Sequence, residues 1–158
     1  MSQTPASIEQ PGQVECLMMQ LHDRQLLLPN VTVAEIIPFS QLMTTNSSVN
    51  WVIGSIQWRG VGIPVICYEL LNGTAAPRPS PSARFAVING VGRHTGMPFF
   101  GMLVQGIPKL NKVLESDIQQ VDAVMGMGEM DQMAISVDGE SAFIPDLEQI
   151  EAHLLAVL

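Results

Sequence analysis

Residues 51–68, WVIGSIQWRGVGIPVICY, decide how the chain is read. Two apolar runs of strand length flank Arg59-Gly60, a pair with turn chemistry, and runs of roughly four to eight apolar residues bounded in this way favour strands over helices. Arg59 is the only charge in the stretch, with Gly54, Gly60 and Gly62 around it and no general base, metal ligand or phosphate cradle beside it. A lone guanidinium amid apolar residues points to recognition of another molecule rather than to bond chemistry.

The same grammar extends outward. VECLMMQL, QLLLP, VTVAEII, RFAVI, FFGMLV and MAISV are short apolar runs, and most end in turn residues. Asn89-Gly90 and Asp138-Gly139 carry the residue types of tight hairpin turns. Pro77, Pro79 and Pro81 cannot enter a sheet interior, so residues 72–83 read as an exposed loop, the expected break between two halves, with strands open to exchange between them. QWRGVGIPVICYELL and SVDGESAFIPDLEQI share a glycine followed by Ile-Pro, and RQLLLPNVTVAEI and FFGMLVQGIPKL share a further strand pattern, which suggests duplication. Only PDLEQIEAHLLAVL reads as helix, with Pro145 for its first turn, Asp146 and Glu148 at its positive end, and Leu147, Ile150, Leu154 and Leu155 on one face. Residues 1–13 are expected to be a disordered lead-in and 14–158 a single domain.

Composition excludes several functions. With 158 residues, 47% hydrophobic and 14% charged, the chain is apolar for its size, yet it has no uninterrupted apolar run long enough to span a bilayer. Fifteen acidic against seven basic residues give a net charge of -8, which repels nucleic acid and anionic lipid. Cys16 and Cys67 lack metal or redox spacing, so the expectation is a cytoplasmic protein with reduced thiols, no metal and no cofactor. His22, His94 and His153 show no ligand-set spacing, and NGVGRHTG lacks the ending of a phosphate loop. Met125, Met127, Met130 and Met133 lie in a glycine-rich stretch that could form an adaptable contact surface. An apolar, β-rich chain without a catalytic constellation reads as an interaction module, with Arg59 beside Trp51 and Trp58 as its hot spot or else paired to a surface carboxylate. A small thiol enzyme using Cys67 with His94 is the alternative from another class.

GSIQWRGVGIPVICYEL resembles the central segment of the CheW-like coupling proteins of bacterial chemosensory pathways, whose usual form is a glycine, Asn-Leu-Arg-Gly, and a proline flanked by aliphatics. The resemblance runs from about Val14 to Leu155. It implies an all-β fold of two SH3-like, five-stranded barrels around a shared core, with a C-terminal helix. It also implies a non-enzymatic adaptor between the cytoplasmic helical tip of a chemoreceptor and a CheA-like histidine kinase. A modulator that binds receptor without kinase is the variant reading. Carried across by position, the receptor-binding residues are Val33, Glu35, Ile36, Gly54, Trp58, Arg59, Val104 and Gly106. Gln57, Trp58, Cys67 and Gln105 depart from the usual Asn, Leu, Asp and Asp, marking a divergent member, with a pathway such as type IV pilus motility as the expectation.

Overall fold

The structure, a computed structural model, describes residues 12–45, 47–90, 98–121 and 126–158. Among them the chain forms eleven strands and two helices. The order is β1 (Gln13–Gln20), β2 (Gln25–Pro29), β3 (Val33–Pro38), β4 (Val52–Trp58), β5 (Val61–Ile66), α1 (Tyr68–Leu71), β6 (Arg84–Asn89) and β7 (Phe99–Val104). Then come β8 (Lys109–Leu114), β9 (Ile118–Gln120), β10 (Asp131–Val137), β11 (Glu140–Pro145) and α2 (Leu147–Val157). All but 2 of the expected lead-in residues, and His94, lie outside the described residues.

Two sheets result, in the orders β3-β6-β7-β5-β4 and β8-β1-β2-β11-β10-β9. Both curl toward closure. Beyond β3 the chain returns to the free edge of β4, where Met43 and Ser55 exchange two backbone hydrogen bonds of 2.9 Å. In the second sheet the outermost strands, β8 and β9, are joined by a three-residue 3-10 turn, Glu115–Asp117, so its edges must also meet. Closure of this kind removes the unpaired edges that invite aggregation. The second barrel has six strands rather than five, because the short β9 adds to β10.

The halves are interleaved. The β1–β2 hairpin joins β10–β11 through a parallel contact of β2 with β11, and β6–β7 joins β4–β5 through a parallel contact of β7 with β5. Residues 72–83 therefore do not separate the barrels; they connect α1 to β6, whose strand lies in the same sheet as β5. Both closing hairpins use one solution: Arg59 and Asp138 have φ of 49° and 50°, followed by Gly60 and Gly139 at 79° and 80°. Two consecutive left-handed residues match the twist of the flanking strands. The β6–β7 hairpin does not turn at Asn89-Gly90. Residues 90–98 connect it, of which 91–97 lie outside the described residues, and Gly90 N–H donates to the Pro98 carbonyl at 2.7 Å.

Pleating sorts the side chains into three cores. Ile56, Trp58, Ile63, Phe85 and Val87 fill the first barrel, and Cys16, Met18, Leu27, Val113 and Ile135 fill the second. The alternate face of the same strands, with Met19, Leu26, Leu28, Ile66, Ile88 and Phe100, meets between the barrels. Helix α2 seals this shared core with Ile150 and Leu154, and Asp146 caps it by accepting from Gln149 N–H at 3.1 Å. The glycine-rich stretch is less exposed than its composition suggests: Met130 is fully buried, Met133 half-buried and Met127 exposed, while Met125 lies outside the described residues. Met130 and Met133 turn to the cores instead of sharing a surface with Met127, because the chain enters β10 at Asp131.

Candidate binding surface at the Arg59 hairpin

Strands β3 and β4 are opposite edges of the first sheet, and curling brings Glu35 against the β4–β5 turn. The Trp58 indole N–H donates to Glu35 Oε1 at 2.9 Å, and Arg59 Nη2 lies 3.4 Å from the same oxygen. The Arg59 guanidinium stacks over the Trp58 ring, 4.7 Å from its centroid, and Trp58 meets Phe99 edge-on at 4.8 Å. Trp58 is buried, whereas the Arg59 side chain is 70% exposed and Glu35 43%. Arg59 thus both pairs with a surface carboxylate and keeps most of its donors in solvent. An exposed pair of this kind contributes little to stability, about 0–1 kcal/mol. Trp51 does not share the site; it is buried in the core between the barrels.

The other residues of the expected site fall into two groups. Val33 and Ile36 are half-buried against the shared core and leave part of their surface outward, on the strand that carries Glu35. Gly54 and Val104 are buried, whereas Gly106 is half-buried. Val104 is fully buried in the shared core, so its side chain offers no surface to a partner. Gly54 is buried and passes closely under the 42–43 segment; a Cβ there would lie 2.7 Å from Leu42 Cβ. Gly106 borders the loop to β8, with open space at its Cβ position.

Leu110 was not legible as a surface residue. It sits in the cross-strand row Leu110–Leu17–Leu28, which runs from the exposed rim, where Leu110 is 55% accessible, into the shared core. The alternation in KLNKVL, with Val113 inward, is the signal that could have found it.

At the other end of β5 from the Arg59 turn, a polar junction links the halves. Asp131 accepts from Arg24 Nη1, from Tyr68 hydroxyl at 2.7 Å, from Asn72 Nδ2 at 2.9 Å and from Gly128 N–H at 2.8 Å. Arg24 also stacks on Phe143, with Cζ 4.5 Å from the ring centroid. Burial opposes the Arg24 charge, but hydrogen bonding to Asp23 and the field of Asp131 outweigh it and raise its pKa. Burial first, then the Asp131 charge, pushes the Tyr68 hydroxyl well above the usual phenol range. Gln105 is also structural: its side-chain oxygen accepts from Ser80 N–H at 2.8 Å and fastens the proline-rich loop.

The thiol-enzyme arrangement finds no support at Cys67. The side chain is buried, its Sγ lies 3.5 Å from Glu69 Oε1, and burial, with the Glu69 charge adding, pushes its pKa up to about 11. A nucleophilic thiol needs the opposite shift. Because the folded pKa exceeds the unfolded value, the unfolded thiol ionises first. This contribution is complete below about pH 9 and lost as pH rises through about 11, with a ceiling of about 2–3 kcal/mol. Urea denaturation from pH 8 to 11 should show wild type losing more stability than Cys67→Ala, with Tyr68 contributing equally to both; parallel curves would contradict the shift. Among the described residues no group of three or more His, Cys, Asp or Glu side chains could hold a metal, and no helix is long and apolar enough to cross a membrane.

The sequence model of the CheW-like domain family matches residues 15–154. Among solved structures, the scaffolding protein TtCheW from Thermoanaerobacter tengcongensis superposes with a TM-score of 0.70, over 84% of this chain and 88% of that one, at 17% identity. That likeness concerns the fold, two SH3-like β-barrels with a C-terminal helix. No curated protein matches the chain in sequence.

Proposed function

Because the chain belongs to the CheW-like domain family, we propose that it is a non-enzymatic chemotaxis adaptor that couples the cytoplasmic helical tip of a chemoreceptor to a CheA-like histidine kinase. The observation that carries the receptor half is the Arg59 hairpin: a solvent-facing guanidinium held over a buried tryptophan and against Glu35, on the strand that also carries half-buried Val33 and Ile36. This combination suits an amphipathic helix. Apolar positions accept the helix's greasy face, and Arg59 with Glu35 sets its register at the polar rim. Leu110 offers an exposed apolar side chain on the second barrel.

The test uses a soluble receptor-tip hairpin and separates binding from folding. Arg59→Gly keeps a residue suited to φ of 49°, so its melting temperature should match or exceed that of wild type while tip binding weakens by about 30-fold, the scale of an interface hot spot. Val33→Asp places a charge on the apolar strip and should also weaken binding, with an unchanged circular dichroism spectrum. Undiminished binding by both variants would remove the site. Kinase binding, measured separately on the same proteins, distinguishes a coupling adaptor from a modulator that engages receptor alone.

A further inference from the structure

We propose that Trp58 is a positioning residue: pinned through its indole N–H to Glu35, it pre-sets the Arg59 guanidinium toward a carboxylate on the partner's helix, an inference that rests on the adaptor reading above.

A free arginine explores many rotamers and loses them on binding. Arg59 is restricted before any partner arrives. Its backbone is fixed in the left-handed region by the turn, and its guanidinium lies 4.7 Å over the Trp58 ring centroid. The ring is immobilised in turn: Trp58 is 8% exposed, packed edge-on against Phe99 and tied to Glu35 at 2.9 Å. Tryptophan supplies both requirements at this position, a wide face for the cation and a donor that anchors the plane. Leucine at this position would supply neither.

Glu35 completes the device. One oxygen, Oε1, faces both donors, with the shorter contact to Trp58 and the longer, 3.4 Å contact to Arg59. A partner carboxylate can therefore draw Arg59 away while Glu35 keeps its bond to the indole, so the exchange leaves no buried donor or acceptor unpaired. A planar carboxylate is the group whose geometry matches the free fork of the guanidinium.

The experiment is a double-mutant cycle on the full chain with the soluble receptor-tip hairpin, read beside NMR of the Arg59 side-chain Nε–Hε group. Trp58→Leu should weaken binding about tenfold in the wild-type background and leave it unchanged in the Arg59→Ala background. Trp58→Phe, which keeps a ring but no donor, should show an intermediate loss and retain the ring-current shift of Arg59 Hε that Trp58→Leu abolishes. Should Trp58→Leu misfold, Trp58→Phe and Glu35→Gln carry the same cycle. Equal weakening in both Arg59 backgrounds, or an Arg59 Hε resonance at its random-coil position in wild type, overturns the positioning role. If the ring-current shift is present but Arg59→Ala binds the hairpin as wild type does, the adaptor surface itself is wrong, and the partner half of the proposal falls with it.

Discussion

Replacing Asp131 by alanine should destabilise the protein by about 3–5 kcal/mol, the range for removing one partner of a buried ion pair. Four donors converge on this carboxylate: Arg24, Tyr68, Asn72 and the Gly128 N–H. The Arg24 side chain is 7% exposed and that of Asp131 fully buried, so water cannot readily replace the lost acceptor. For a chain of this size the change corresponds to a fall in melting temperature of roughly 8–16 °C, measurable by calorimetry. The pair Arg24→Met with Asp131→Leu should recover part of the loss, because the orphaned charge is gone, but not all, because Tyr68 and Asn72 still lack an acceptor. A loss below about 1 kcal/mol for Asp131→Ala would mean that the junction is hydrated and does not tie the halves together.

Gly54→Ala should be almost as damaging, for a different reason. The new methyl group would lie 2.7 Å from Leu42 Cβ and 2.8 Å from the Met43 carbonyl oxygen, and backbone cannot move aside as a flexible side chain can. Overpacking of this kind costs about 1–3 kcal/mol, and the φ of 155° adds strain that glycine escapes. The displaced segment holds the Met43–Ser55 bridge, so the first barrel should open at that seam. Hydrogen exchange gives the local test: Ser55 and Met43 amides should lose protection before the strands β6 and β7 do. Gly60→Ala is the control, since its φ of 79° is left-handed but nothing lies within 4 Å of the added Cβ. It should cost only about 1–2 kcal/mol and spare the bridge. Equal effects of the two substitutions would refute the steric account.

Much of the fold was written in local chemistry. The β2 run QLLLP and the helix face of Ile150 and Leu154 appear as their residue patterns require, and Asp138-Gly139 makes the tight turn expected of it. Asn89-Gly90 carries equally good turn chemistry and makes none, because the β6–β7 register closes at Asn89 with Phe99 instead. Propensity nominates turns, and strand pairing selects among them. The same limit explains residues 72–83: prolines mark a loop, but whether a loop divides two barrels depends on which strands pair across space.

The candidate surface divides along the same line. Alternation and turn type, both local consequences of backbone geometry, were enough for the sequence to determine that Arg59 stands at a strand-to-strand turn amid apolar residues. Whether a side chain on β7 faces a partner or the core depended on the second barrel, and tertiary packing placed Val104 inside and left Leu110 at the rim. Barrel closure likewise set Glu35 beside Trp58, twenty-three residues away along the chain. Such contacts arise only when sheet edges meet, because register and closure are properties of the whole sheet and no local stretch encodes them.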